Sequence, residues 1–207
     1  MSINQLTAAA TRWDLLKHSF YQRWTSGDLS IVELQDYAAQ YNFVVAAMPG
    51  WLVRTAATDP ANRATLEAHA REEAAHLPMW ADFAEAVGVS SAALGATEPN
   101  AATRGLLQLG DSLVSDGRGA AAIWALEAQT PRVSVEKLAG LGQYGIEDGP
   151  GTRYFEVHRS MDVRHTEELE AVIEGGPANP GDPAAAAQMS EALWDILTSV
   201  ESEVALA

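Results

Sequence analysis

The chain has 207 residues, 47% of them hydrophobic, so it can bury a sizeable core and is too apolar for a disordered segment. Its formal net charge of −15 would repel nucleic acid and anionic membrane surfaces, and neither is expected as a partner. With no cysteine, disulfides, thiolate metal sites, iron–sulfur ligation and a cysteine nucleophile are excluded, which leaves carboxylates, imidazoles, phenols, hydroxyls and amines for any chemistry.

Helix signals fill the chain, and no stretch alternates apolar and polar residues as a strand does. The opening MSINQLTAAATRW lacks a basic segment followed by an apolar one, and no apolar run reaches the about 20 residues that span a bilayer, so a cytoplasmic protein is expected. Trp13, Leu16 and Phe20 share a helix face. Ser30 and Glu33 form a capping box that opens SIVELQDYAAQYNFVVAAM, a helix expected to stop at Pro49-Gly50. Asp59 and Pro60 read as cap and first residue of a helix running to Val87. Further helices are expected at 101–115, 119–130, 132–142, 154–173 and 183–205. The last follows the cap Asp182-Pro183 and carries Met189, Leu193, Ile196, Leu197, Val200 and Val204 on one face. The expected fold is all-α, a single domain over residues 1–207 with seven to eight helices.

Three segments hold charged groups where burial is expected. In GAAAIWALEAQTPR, Glu127 is the only charged side chain between Arg118 and Arg132, on a helix apolar nearly all round. A buried ionised carboxylate needs a partner, a proton or a metal ion. In EAHAREEAAHLPMW, Glu73 and His76 are three apart and Glu72 and His76 four apart, and either pair shares a face. An ExxH step is a recurring di-metal device in helical bundles. In HRSMDVRH, His158, Asp162 and His165 fall at steps of four and three, within about 60° of one another around a helix. Together these supply three imidazoles and three carboxylates, a nitrogen/oxygen donor set suited to a pair of iron or manganese ions. His18 is expected to pack near the pocket mouth and His69 to be exposed.

Several segments together resemble the heme-oxygenase-like di-iron oxidases, whose fold is shared with the TenA and PqqC proteins. They are HSFYQRWTSGDLS, LQDYAAQYNFVVAAMPGWL, EEAAHLPMWADFAEAVGV, ALEAQTPRVSVEKLAGLGQYG and YFEVHRSMDVRH. The resemblance places Glu127, His158, Asp162 and His165 at ligand positions and His76 at the histidine of the first ligand helix. Within the superfamily the chain is most similar to the CADD-type p-aminobenzoate synthases and to the N-oxygenases of small amines. In the CADD type, tyrosines near the metals and a lysine take part, and one tyrosine is consumed. The matching positions are Tyr21, Tyr37, Tyr154 and Lys137. The direct EEAAH departs from the CADD type, which has a glycine-containing insertion before the histidine, and favours Glu73 over Glu72 as the ligand.

The resemblance implies two Fe(II) ions, with manganese or a mixed pair as the alternative, and O₂ as co-substrate. It also implies a small-molecule substrate and an external electron donor; a homodimer is a further expectation. The leading expectation is N-oxygenation of a small amine-bearing metabolite, the alternative a p-aminobenzoate synthase consuming its own tyrosine, and the third a metal-free TenA- or PqqC-like binding or regulatory protein. Trp13, Tyr21, Tyr37, Tyr41, Trp124 and Tyr154 are the expected lining of the reaction cavity.

Overall fold

The computed structural model describes the backbone of residues 2–205 and the side chains of residues 2–201. Two short helices come first, α1 (Ile3–Ala10) and α2 (Ser19–Ser26). His18 caps α2, its Nδ1 accepting from the Phe20 N–H at 3.0 Å, while its ring packs edge-on to Trp194 at 4.5 Å. Both uses are structural.

The long helices carry the fold. α3 (Ile31–Thr58) opens on the expected capping box, with Glu33 N–H donating to Ser30 Oγ at 3.2 Å and Ser30 N–H donating to Glu33 Oε2 at 2.7 Å. It does not stop at Pro49. Proline removes one backbone hydrogen bond, but Met48, Trp51, Leu52, Thr55 and Ala56 are all buried, and their packing holds the helix through the gap. α4 (Arg63–Ala86) starts later than Asp59-Pro60 suggests. Asp59 instead accepts from the backbone and side-chain amides of Asn62, at 3.2 and 2.8 Å, and so closes a turn that Asn62 ends.

α5 (Ser91–Ala96), α6 (Ala101–Ser115), α7 (Gly119–Glu127), α8 (Thr130–Leu141), α9 (Pro150–Gly175) and α10 (Asp182–Ala205) complete the chain. α9 begins one turn before the expected 154, because Pro150 suits a first helical turn and Thr152 Oγ1 accepts from the Gly149 N–H at 3.2 Å. The short α1 and α5 add to the eight helices expected. On α10, Met189, Leu193, Ile196, Leu197 and Val200 are buried as expected, and the Val204 side chain lies outside the described residues. No described helix is long and apolar enough to cross a membrane.

One core joins these helices, with Trp24, Tyr37, Trp80, Phe83 and Phe155 among its fully buried members. α4 lies against both α3 and α9, and α7 packs against α9 and α10. The α4–α9 approach is tight enough to demand glycine. A Cβ at Gly151 would lie 2.6 Å from the Ala86 Cβ. Gly151→Ala is therefore expected to destabilise the chain by about 1–3 kcal/mol in urea denaturation, whereas Gly105→Ala on α6, with nothing within 4 Å of the new methyl, is expected to be neutral or stabilising. Equal destabilisation by the two would contradict this reading of the packing.

Candidate metal centre

α4 presents His69, Glu73 and His76, α7 ends on Glu127, and α9 presents His158, Asp162 and His165; each of these residues is at most 4% exposed. The rings of His69 and His165 stack with centroids 3.7 Å apart, and those of His76 and His158 meet edge-on at 4.5 Å. The two helices thus run antiparallel here. His165 Nδ1 lies 3.3 Å from Glu127 Oε2, 3.4 Å from Glu73 Oε1 and 3.7 Å from Asp162 Oδ1. His76 Nδ1 is 3.2 Å from Glu73 Oε1, and His158 Nε2 is 3.8 Å from Glu73 Oε2. The donors fall into two groups with Glu73 in both: His69, Glu73, Glu127 and His165, and Glu73, His76 and His158.

Hydrogen bonds behind the histidines fix which nitrogen faces inward. His158 Nδ1 sits 2.6 Å from the Tyr154 carbonyl, which can only accept, so the proton is on Nδ1 and the Nε2 lone pair points to the centre. His165 Nε2 donates to Glu72 Oε2 at 2.8 Å, which leaves Nδ1 for the centre. That contact settles the place of Glu72. One residue from Glu73 is a turn of about 100°, and it carries the Glu72 carboxylate outward to His165 and Arg164. Glu72 supports a histidine from behind and is outside the cluster; Glu73 is inside it.

Three carboxylates, those of Glu73, Glu127 and Asp162, are buried in the cluster. Glu73 Oε1, His76 Nδ1, Glu127 Oε2, His158 Nε2, Asp162 Oδ1 and His165 Nδ1 are all buried without a hydrogen-bond partner. Six such atoms facing one another are costly in a folded protein unless something else binds them. Burial, together with the nearby charges of Glu127 and Glu73, pushes the Asp162 carboxyl well above the usual range. Burial works against the His165 cation, yet the facing Glu127 carboxylate, with Glu72 and Glu73, holds its pKa above the ordinary value. Burial would raise Glu73 too, but His158 and His76 beside it more than reverse this and hold it low. Glu127 is the last residue of α7, where the helix's carbonyl end adds to the negative potential. Imidazole and carboxylate donors in two groups with a shared glutamate fit a pair of divalent metal ions, whose charge the three carboxylates of Glu73, Glu127 and Asp162 would largely balance.

His69 was not expected here. It is buried, with Nε2 2.8 Å from Glu127 Oε1. Its neighbours Glu67, Arg71 and Glu72 gave the segment a solvated look, but a signal was present: His69, Glu73 and His76 stand at steps of four and three, the same steps as His158, Asp162 and His165.

Beyond the cluster lies a second buried polar group. Lys137 Nζ is 2.5 Å from the Tyr37 hydroxyl, with the rings of Tyr21, Tyr37, Tyr41 and Phe155 at 5.5, 4.9, 5.4 and 4.9 Å. Burial pushes the Lys137 ammonium down to about 7. The Tyr21 and Tyr37 hydroxyls are raised, chiefly by burial. Tyr154 links the two groups: its ring stacks on His158 at 3.8 Å, and burial and then the charges of Tyr41, Glu73, Asp162 and Glu127 raise its hydroxyl. The structure therefore brings Tyr21, Tyr37 and Lys137 together, and Tyr154 meets them through Trp80, whose ring lies 4.9 Å from Tyr154 and 5.9 Å from Tyr37. Trp13 and Trp124 do not join them. Trp13 packs on Trp194 at 5.7 Å, and Trp124 donates to Glu170 at 3.1 Å and lines a separate cavity of about 410 Å³ with Thr7, Gln129 and Thr166.

Residues 35–198 match the family described as iron-containing redox enzymes. The chain belongs to this family. A 4-aminobenzoate synthase of Chlamydia muridarum is 32% identical over 212 residues, spanning 95% of this chain and 89% of the relative. Among solved structures, a TenA homologue from Pseudomonas syringae pv. tomato superposes with a TM-score of 0.83 at 15% identity, covering 96% of this chain and 92% of the other. A domain with a heme oxygenase-like fold from Shewanella denitrificans gives 0.81 at 17% identity, covering 100% and 94%. The fold is thus the heme-oxygenase-like one that the sequence resembles, and the iron family agrees with the donor set.

Lys137 carries a pH signature. Unfolded, a lysine holds its proton up to about pH 10.4; here the folded chain releases it near 7, so the cost of burying the ammonium is complete below pH 7 and fades as the pH rises toward 10. Lys137→Met removes that cost. The variant is expected to exceed the wild type in stability by roughly 2–5 kcal/mol at pH 6–7, with the difference shrinking steadily by pH 10. Urea denaturation across that range measures it, and parallel pH profiles for the two proteins would contradict it.

Proposed function

We propose that this member of the iron-containing redox enzymes is an O₂-dependent di-iron enzyme that forms 4-aminobenzoate, with a tyrosine of its own chain as the source of the ring. The observation that carries the reading is the adjacency of two buried groups. A cluster of histidines and carboxylates suited to two iron ions is joined, through Tyr154 stacked on His158 and Trp80 packed on Tyr154, to a set of tyrosines gathered around Lys137. The near full-length relatedness to a protein named 4-aminobenzoate synthase favours this reading over N-oxygenation of a separate amine, which the sequence alone put first. The direct EEAAH step bears on how the first ligand helix is built and leaves the tyrosine–lysine group as it is.

Glu73, His76, Glu127, His158, Asp162 and His165 would hold the ions. When bound, the ions would supply the binding and reduction of O₂. The chain supplies the rest. The buried aromatic wall of Tyr37, Trp80 and Phe155 keeps bulk water from the phenols. Lys137, pushed down to about 7, offers a nitrogen lone pair near neutral pH and can take or return a proton at Nζ against the Tyr37 hydroxyl. Tyr21, Tyr37 and Tyr154 are the three phenols placed to be consumed.

The test uses protein grown with ring-¹³C tyrosine, loaded anaerobically with Fe(II) and then exposed to O₂. Product is followed by mass spectrometry. The expected result is labelled 4-aminobenzoate at no more than one molecule per chain, a matching mass change at one of the three tyrosines, and at least a tenfold lower yield for Lys137→Met. O₂ consumption that requires an added amine and gives no labelled product would overturn the reading in favour of N-oxygenation.

A further inference from the structure

The two stripes on α4 and α9 are related to each other in a way that six ligands do not account for. His69, Glu73 and His76 stand at positions i, i+4 and i+7, and so do His158, Asp162 and His165. Because the helices run antiparallel, the first histidine of one stripe meets the last of the other. His69 stacks on His165 and His76 meets His158, while Glu73 and Asp162 occupy the middle of each stripe. An approximate twofold axis therefore runs between the helices, and Glu127 of α7 enters from one side, at the His69–His165 end, where its two oxygens lie 2.8 Å from His69 Nε2 and 3.3 Å from His165 Nδ1.

We propose that His69 is a seventh ligand, so that each ion would be held by one histidine from each helix: His69 and His165 with Glu127 and Glu73 for one, His76 and His158 with Glu73 for the other. This rests on the di-iron reading above. Two observations separate it from a mere hydrogen bond between His69 and Glu127. First, the ligand atoms of His69, Glu73, Glu127 and His165 all lie within 4.8 Å of one another, a few tenths of an ångström beyond the roughly 4.4 Å that donors about 2.2 Å from a single ion can span, so a small side-chain adjustment lets one ion reach them together. Second, the face-to-face stacking of His69 on His165 at an interplanar angle of 29° lays two imidazoles side by side along the same edge of the cluster, and His69, 1% exposed, has no route to solvent for its ring. The consequence is that both ions would have two nitrogen donors, in place of one ion with two and one with a single imidazole.

The experiment is an anaerobic equilibrium titration with Fe(II) of the full chain, the bound iron being counted against free Fe(II) for the wild type, His69→Gln, His69→Ala and His158→Ala. Circular dichroism on each sample reports whether the helices are retained. Glutamine keeps an N–H that can reach Glu127 but supplies no imidazole. If His69 is a ligand, the wild type binds two ions, and both His69 variants bind one of them at least tenfold more weakly, with the helical signal kept. Added imidazole then restores the second ion in His69→Ala, and His158→Ala weakens one ion while leaving the His69 end filled. Two ions held with wild-type affinity by His69→Gln would overturn the proposal alone, as would a loss in His69→Ala that imidazole does not reverse. A wild-type chain that takes up fewer than two ions would overturn the di-iron reading and this inference with it.

Discussion

Everything in this molecule turns on charge placed where water cannot reach it. Glu73, Glu127 and Asp162 face one another inside the helical core, with four imidazoles around them and six of the cluster's buried donor and acceptor atoms unpaired. Removing a single carboxylate from water costs several kcal/mol even after relaxation, so three together are tolerable only when compensating positive charge is present. The rest of the site follows from that need. The low pKa of Glu73 and the raised values of Asp162 and His165 are opposite responses to one surplus of negative charge, some carboxylates leaning on imidazoles and another on a proton. Metal ions that displace those protons would bind in a pH-dependent way and would tie α4, α7 and α9 together.

The same helices that build the cluster also build its neighbour. α4 carries Trp80 one turn beyond His76, and α9 carries Tyr154 one turn before His158, so the step from cluster to aromatic pocket is made within single helices. Rigid elements hold distances better than loops, so the spacing between the two groups is fixed by the helices themselves. Lys137 comes from α8 and Tyr21 from α2, and their meeting depends on tertiary packing: the Trp24 indole N–H donates to the Lys137 carbonyl at 3.1 Å, anchoring α2 on α8 beside the amine. A lysine sealed among aromatic rings keeps little of its usual preference for the proton. That suits a neutral nitrogen near pH 7 and makes it a costly residue to retain for packing alone.

Local signals in the sequence were good guides to helix starts that rest on side-chain oxygens, such as Ser30 with Glu33. They were poor guides where tertiary packing overrode local preference. Pro49 reads as a stop, yet α3 continues because Trp51 and Leu52 are worth more buried than the missing hydrogen bond costs. Pro60 reads as a helix start, yet Asp59 is engaged with Asn62. In the site, Glu127, His158, Asp162 and His165 could be read because each breaks an apolar surrounding or a helical period. His69 could not be read from its neighbours, which are polar, and showed only in its spacing from Glu73 and His76. The tyrosines and Lys137 came from resemblance, since nothing in a single sequence tells a buried phenol beside an amine from ordinary core. Trp124 illustrates the reverse error: an aromatic one turn before Glu127 on a ligand helix is engaged by Glu170 and lines a separate cavity, a matter of tertiary packing that composition cannot reveal.

On this reading, the buried groups exist to hold two cations between α4, α7 and α9. Crystals of the protein grown or soaked anaerobically with Fe(II), with diffraction recorded on both sides of the iron absorption edge, test it most directly. Two anomalous peaks per chain are expected, sharing Glu73 and lying between the His69–His165 and His76–His158 pairs. No iron peak there, with the six unpaired atoms instead joined by hydrogen bonds to one another or to water, would contradict the account.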